Sequence, residues 1–177
     1  MRTTSIWIVL ALVLALTLCG CAKTDDGAAT PTQPTTQVNP SESPIGYGFT
    51  YNGVTFGIGM DADKVIAALG EPKSEEKTAS CAFGGNDIVY TYDNFKISAN
   101  DENGFNRIYG IQLLNDMAET QKGIYKDCSA ADVTAAYGEA TSSNAAGLYY
   151  AKDGMELQFM LKDGAVDRIQ YIDSSVG

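Results

Sequence analysis

Cys19 and Cys21 stand two apart in "LTLCGCAK" (16–23). Thiolates at that spacing could bind a metal or cycle as a redox pair, but a metal site needs further Cys or His ligands close by. The chain has no His, and the next cysteine is Cys81. Without His there is no Ser-His or Cys-His nucleophile system, and the commonest general base is missing. Carboxylates remain. Asp61 and Asp63 form D-x-D, and "NDENG" (100–104) gathers acids with amides, a donor set that suits Ca²⁺. Neither has EF-hand spacing. Asp61 reads better as a helix cap, and "NDENG" as a solvated hairpin loop. No phosphate loop of the G-x-x-x-x-G-K-[ST] kind occurs, and "FGGND" (83–87) reads as a turn. The expectation is a protein that is not an enzyme and holds no metal or cofactor.

The residues before the cysteines decide what one of them does. Arg2 is the only charged side chain before Lys23, and the thirteen residues Ile6–Leu18 are apolar except Thr17. A positive start, an apolar run of that length and small residues after it make a secretory signal. A permanent span would need about 20 apolar residues. "LCGC" (18–21) resembles the bacterial lipobox. The resemblance implies cleavage between Gly20 and Cys21 and a diacylglyceryl group on the Cys21 sulfur. The acyl chains, palmitate among them, would hold the protein on the outer side of the cell membrane, each buried CH₂ contributing about 0.8 kcal/mol. Cys19 would leave with residues 1–20.

Losing Arg2 leaves 11 Lys+Arg against 22 Asp+Glu, a net charge of −11 from Cys21 on. Such a surface repels nucleic-acid phosphates and anionic headgroups, so DNA and RNA are disfavoured partners. Residues 21–46 hold four of the five prolines and no aromatic residue, which makes a disordered tether below the lipidated Cys21. All ten Tyr and all six Phe fall between Tyr47 and Tyr171, so residues 47–177 form one domain. It contains Cys81 and Cys128. Outside the membrane this pair can oxidise to a disulfide, closing a loop worth about 4 kcal/mol in the chain-entropy model. The alternative is two separate thiols.

The domain repeats itself. "DADKVIAALGEP" (61–72) matches "SAADVTAAYGEA" (129–140) at six of twelve positions, and "NRIYGI" (106–111) matches "DRIQYI" (167–172) through Arg107/Arg168, Ile108/Ile169 and Ile111/Ile172. Each unit opens with a helix: Asp61 and Ser129 at the N-cap, Asp132 completing a capping box, Gly70 and Gly138 just past the end. Strands follow. "DIVYTY" and "FKISA" alternate, so Ile88, Tyr90, Tyr92, Phe95, Ile97 and Ala99 share a face. "RIYGIQL" is the third strand, and "GLYYA", "MELQFML" and "VDRIQYI" repeat the plan across two "KDG" turns. The last hairpin has two possible registers, which place Ile169 on different faces. "FTYNGVTF" (49–56) is an entry hairpin turning at Asn52-Gly53.

The fold class is therefore α+β: two tandem αβββ repeats, an antiparallel sheet with helices on one face. The open face carries Val89, Thr91, Lys96, Ser98, Tyr149, Glu156, Gln158 and Met160. The helices ending "LGEP" and "YGEA", the "YTY" hairpin and the closing "RI..I" strand resemble the superfamily of β-lactamase-inhibitory-protein-like domains and SmpA/OmlA envelope lipoproteins, more closely Gram-positive lipoproteins with the same signal and tether. The resemblance implies a non-catalytic module whose sheet grips a partner protein or peptide. Lys96, Tyr149 and Gln158 are the candidate patch. Tyr149 and Tyr150 are adjacent, so one of them faces outward in a strand. The alternatives are an assembly component of a cell-envelope complex, and a carboxylate-dependent hydrolase using Asp61, Asp63 or the 100–104 acids.

Overall fold

The chain signals for turns and caps all act where they stand. A computed structural model describes residues 43–176, so Cys21, the signal and most of the tether lie outside the described residues. The elements are β1 (Phe49–Tyr51), β2 (Val54–Phe56), α1 (Ala62–Leu69), β3 (Ser74–Ala79), β4 (Asn86–Thr91), β5 (Phe95–Asn100), β6 (Arg107–Leu113), α2 (Ala130–Tyr137), β7 (Ser142–Asn144), β8 (Gly147–Lys152), β9 (Met155–Lys162) and β10 (Ala165–Asp173). β1 and β2 form a hairpin of their own. The other eight strands make one antiparallel sheet in the order β3-β4-β5-β6-β10-β9-β8-β7. Asp153-Gly154 and Asp163-Gly164 both have positive φ, the two-residue turns that "KDG" predicts. Asp61 caps α1, accepting from the Asp63 N–H at 3.1 Å. Ser129 and Asp132 cap α2 reciprocally.

Two strands depart from the expectation. β3, "SEEKTA", and β7, "SSN", precede the strand that each unit was expected to start with, so four strands follow each helix, not three. Every residue of both is exposed. An edge strand pairs through its backbone and needs no apolar period, and the charges of β3 discourage a further strand from adding there. The body also starts earlier than residue 47: Ile45 donates its N–H to the Ile58 carbonyl at 3.0 Å and packs on the core.

One face of the sheet carries the core. Ile88, Tyr90, Phe95, Ile97, Ile111, Leu157, Phe159, Ile169 and Tyr171 are buried together with Val65 of α1 and Val133 of α2. Both helices lie on this face. Tyr92 Oη donates to the Gly70 carbonyl at the end of α1 (2.8 Å), and Tyr150 Oη does the same to Gly138 at the end of α2 (3.0 Å). The entry hairpin fills the middle, with Phe49 against Phe56, Phe95 and Tyr171. The last hairpin takes the two-residue turn, and a bulge between Val166 and Arg168 makes room for both Val166 and Ile169 in the core. That bulge is why simple alternation left the register open.

Each helix is entered through the same backbone contacts. Gly59 and Asp127, both at positive φ, donate to the carbonyls of Ile108 and Val166 at 2.8 Å, and Ile108 and Val166 donate back to Met60 (2.9 Å) and Cys128 (2.8 Å). These contacts set Ile108 against Val166. The "RI" match sets it against Ile169, three residues further along the chain.

Cys81 and Cys128 are both free thiols, contrary to the expected disulfide. Cys81 lies in the β3–β4 connection at one edge of the sheet. Cys128 precedes α2 and accepts from Val166 of β10. β4 and β10 are three strand spacings apart, about 14 Å. A disulfide needs Cα atoms within about 7 Å.

The "NDENG" segment is a latch, not merely a solvated loop. Asp101 accepts from Asn86 N–H at 2.6 Å and pairs with Lys77 Nζ at 2.7 Å, tying β3 and β4 to the β5–β6 connection. The Lys77 ammonium first, then the Asn86 donors, hold the Asp101 carboxyl down at about 2. This contribution to stability is present above the ordinary Asp range and lost only as pH falls through about 2. A carboxyl-carbon NMR titration should place the Asp101 midpoint there, and Lys77→Ala should move it up toward ordinary values. An unmoved midpoint would dissolve the latch.

Candidate functional site

The face turned away from the helices is organised by register. One row of directly opposed residues runs across six strands as Thr91, Lys96, Gln112, Gln170, Gln158 and Tyr149. Opposed residues in a sheet share a face. Lys96, Tyr149 and Gln158 therefore do lie on one face and in one row. Tyr149 is directly opposite Gln158, but Lys96 stands three strands from Gln158, about 14 Å. Gln112 and Gln170 fill the gap. Tyr150 points into the core and Tyr149 outward. The Tyr149 hydroxyl lies 3.8 Å from Met160 Sδ, and Gln158 Nε2 donates to Glu156 at 2.7 Å.

The middle of this face is hollow. A groove of about 280 Å³ lies over β5, β6 and β10, lined by Lys96, Ser98, Tyr109, Gly110, Gln112 and Gln170 among others. The cause is a second bulge: β5 pairs Ser98 with Gly110 and Ala99 with Ile108, leaving Tyr109 as the extra residue. Tyr109 and Gly110 both look out, one as a wall and one as a floor. Bulges re-aim side chains in this way. Gly110 has no positive φ. A Cβ built there would meet Ser98 Cβ at 3.4 Å, at the edge of ordinary contact. Neither backbone conformation nor packing requires glycine at this point. A bare spot in a strand interior costs stability and marks a place where something else can approach the backbone.

A second cavity of about 280 Å³ adjoins the first through Tyr109, walled by Phe83, Phe105, Asn100, Glu102 and Arg107. The Phe83 and Tyr109 rings are 5.6 Å apart. Phe105 is 40% exposed. Burial pushes the Tyr109 hydroxyl up, so this side chain stays neutral between the two cavities.

The acids proposed for hydrolysis are placed otherwise. Asp63 accepts from Asn106 Nδ2 at 2.8 Å and lines a polar cleft of about 440 Å³ with Glu75, Lys77 and Asp101. Asp61 is occupied as a cap, and among the described residues no group of three or more His, Cys, Asp or Glu could hold a metal ion. The carboxyls whose pKa moves, Asp101, Asp132 and Asp173, all move down. That is the direction hydrogen bonds and ion pairs give to carboxylates serving structure. No helix of the described residues is long and apolar enough to cross a membrane.

Sequence reasoning missed Gln112, Gln170, Tyr109, Gly110, Phe83 and Phe105. One signal was there for the bulge: Ile108 and Ile111, three apart in a strand around a glycine, cannot both be buried by simple alternation. No family model, curated protein or solved structure matches the chain.

Proposed function

We propose that this chain is a lipid-anchored lipoprotein on the outer face of the cell membrane, working as a non-catalytic module that binds a protein or peptide partner over the open face of its sheet. The observation that carries this reading is the groove floored by Gly110 and lined by Lys96, Gln112 and Gln170, next to Gln158 and Tyr149 in the same row. A concave site with a few convergent polar groups is where ligands bind. The signal and "LCGC" support the anchor at Cys21. The doubled contacts at the two helix entries support a duplicated helix-and-strands unit, with Gln112 and Gln170 as counterparts at its centre. They also support the resemblance to the β-lactamase-inhibitory-protein-like and SmpA/OmlA superfamily.

The test is capture from membrane extract by the full chain. Gly110→Leu fills the groove from a position whose backbone tolerates a side chain. It should lower partner capture about tenfold or more, since one blocked hot-spot contact is worth over 1 kcal/mol, with melting unchanged. Equal capture would remove the open face as the site. In the same cells Cys21→Ser should stop the mature protein from partitioning with membranes; if it still does, the anchor is elsewhere.

A further inference from the structure

Resting on the open-face reading, we propose that the groove takes an extended peptide segment of the partner, a bulky apolar side chain seated among Phe83, Phe105 and Tyr109 and a basic residue beside it on Glu102. The two cavities lie next to each other along β6, with Tyr109 lining both. With its bulge, the stretch from Arg107 to Gln112 spans the four steps from Asn100 to Lys96 on β5, about 13 Å, the length of about four extended residues. Two adjacent cavities over that length suit a linear segment better than one side chain alone.

The two ends differ in chemistry. The Phe83 end is aromatic, with Phe105 40% exposed on its rim, and burying an apolar side chain of the partner there would remove that surface from water. The cation in its wall, Arg107, is already engaged, Nη2 standing 2.6 Å from Asp173 Oδ2. The Glu102 carboxylate has no ion pair among the described residues, and the chain's net charge is −10. The uncompensated charge at the anchor pocket is therefore negative, which selects a cationic neighbour to the apolar anchor. At the other end Gln112 and Gln170 offer amide donors and acceptors over the bare Gly110 backbone. Each amide can both donate to a peptide carbonyl and accept from a peptide N–H.

The probe is an immobilised array of short Gly/Ser peptides whose centre is Phe, Leu or Ser followed by Lys, Ser or Glu, read with the full chain in detergent. Phe-Lys and Leu-Lys peptides should retain the protein about tenfold or more above Ser-Lys and above Phe-Glu, as burial of one large apolar side chain allows. Phe105→Ser should erase the preference for Phe over Ser. Glu102→Lys should reverse the preference between Lys and Glu. Both positions are exposed, and unchanged melting checks the fold. No preference on the array, or an order unaltered by Glu102→Lys, overturns the assignment. Partner capture lost in Gly110→Leu alongside a featureless array would leave the open face standing and sink only the peptide. If Gly110→Leu changes neither capture nor array binding, both fall. A wild-type dimer that Phe105→Ser dissociates would show that a second copy fills the pocket, and would likewise overturn it.

Discussion

Phe49→Ala is expected to cost about 3–5 kcal/mol of stability and lower the melting temperature by roughly 10 °C or more. The β1–β2 hairpin pairs only with itself, so the large sheet offers it no backbone hydrogen bonds. A two-stranded hairpin is marginal by itself in water. Side chains must dock it. Phe49 is fully buried, with its ring centroid 5.3 Å from both Phe56 and Phe95 and 6.1 Å from Tyr171. Truncation leaves a cavity whose walls are rings on three different elements, which can close in only partly. Thr55→Ala, on the exposed side of the same hairpin, should change stability by less than about 0.5 kcal/mol. Urea denaturation of both variants measures the contrast. A loss below about 1 kcal/mol for Phe49→Ala would mean that the hairpin does not seat the core.

Arg107→Met should cost about 2 kcal/mol at neutral pH, and the deficit should shrink in acid. Asp173 is 4% exposed at the end of β10. Its Oδ1 accepts from the N–H (2.9 Å) and hydroxyl (2.8 Å) of Ser175, while Oδ2 faces Arg107. Burial pushes this carboxyl up, but the Ser175 donors and the Arg107 guanidinium together outweigh it, and the net direction is down. A depressed carboxyl stabilises the fold above its unfolded pKa, near 4 for Asp, and loses that contribution as pH falls through the folded value. Met keeps the apolar stem and removes the charge. The carboxyl then keeps its burial and loses its cation, so its folded pKa rises in the variant. Denaturation curves at pH 7 and about pH 3 should therefore converge. A deficit that is constant across that range would show that Arg107 acts through packing.

The parts of the fold that were legible in the sequence are those set by short-range chemistry. Asp61, Ser129 with Asp132, Gly70 and Gly138 bracket the helices because cap geometry depends on a few neighbouring residues. Asn52-Gly53 and the two "KDG" turns sit at positive φ because little else tolerates it. Alternation was enough to send Lys96, Gln158 and Tyr149 outward. Where local pattern and tertiary pairing part, the reading failed. "SEEKTA" has no apolar period, and it became a strand because β4 offered an unpaired edge. The Cys81–Cys128 bridge was plausible from compartment and parity, and strand order keeps the two thiols apart.

The candidate site shows the same division. Nothing near Gln112 in the chain announces that Gln170 will lie beside it, because the β6–β10 seam joins strands separated by α2 and the whole second hairpin series. The two helices, the turns, the outward side of most strands and the acidic, histidine-free chemistry all follow from composition or from contacts a few residues long. Long-range pairing sets which outward residues form a row, where Tyr109 and Gly110 open a groove in it, and which carboxylates are taken up by partners. Those outcomes depend on register between distant strands, and one bulge shifts that register for every residue beyond it.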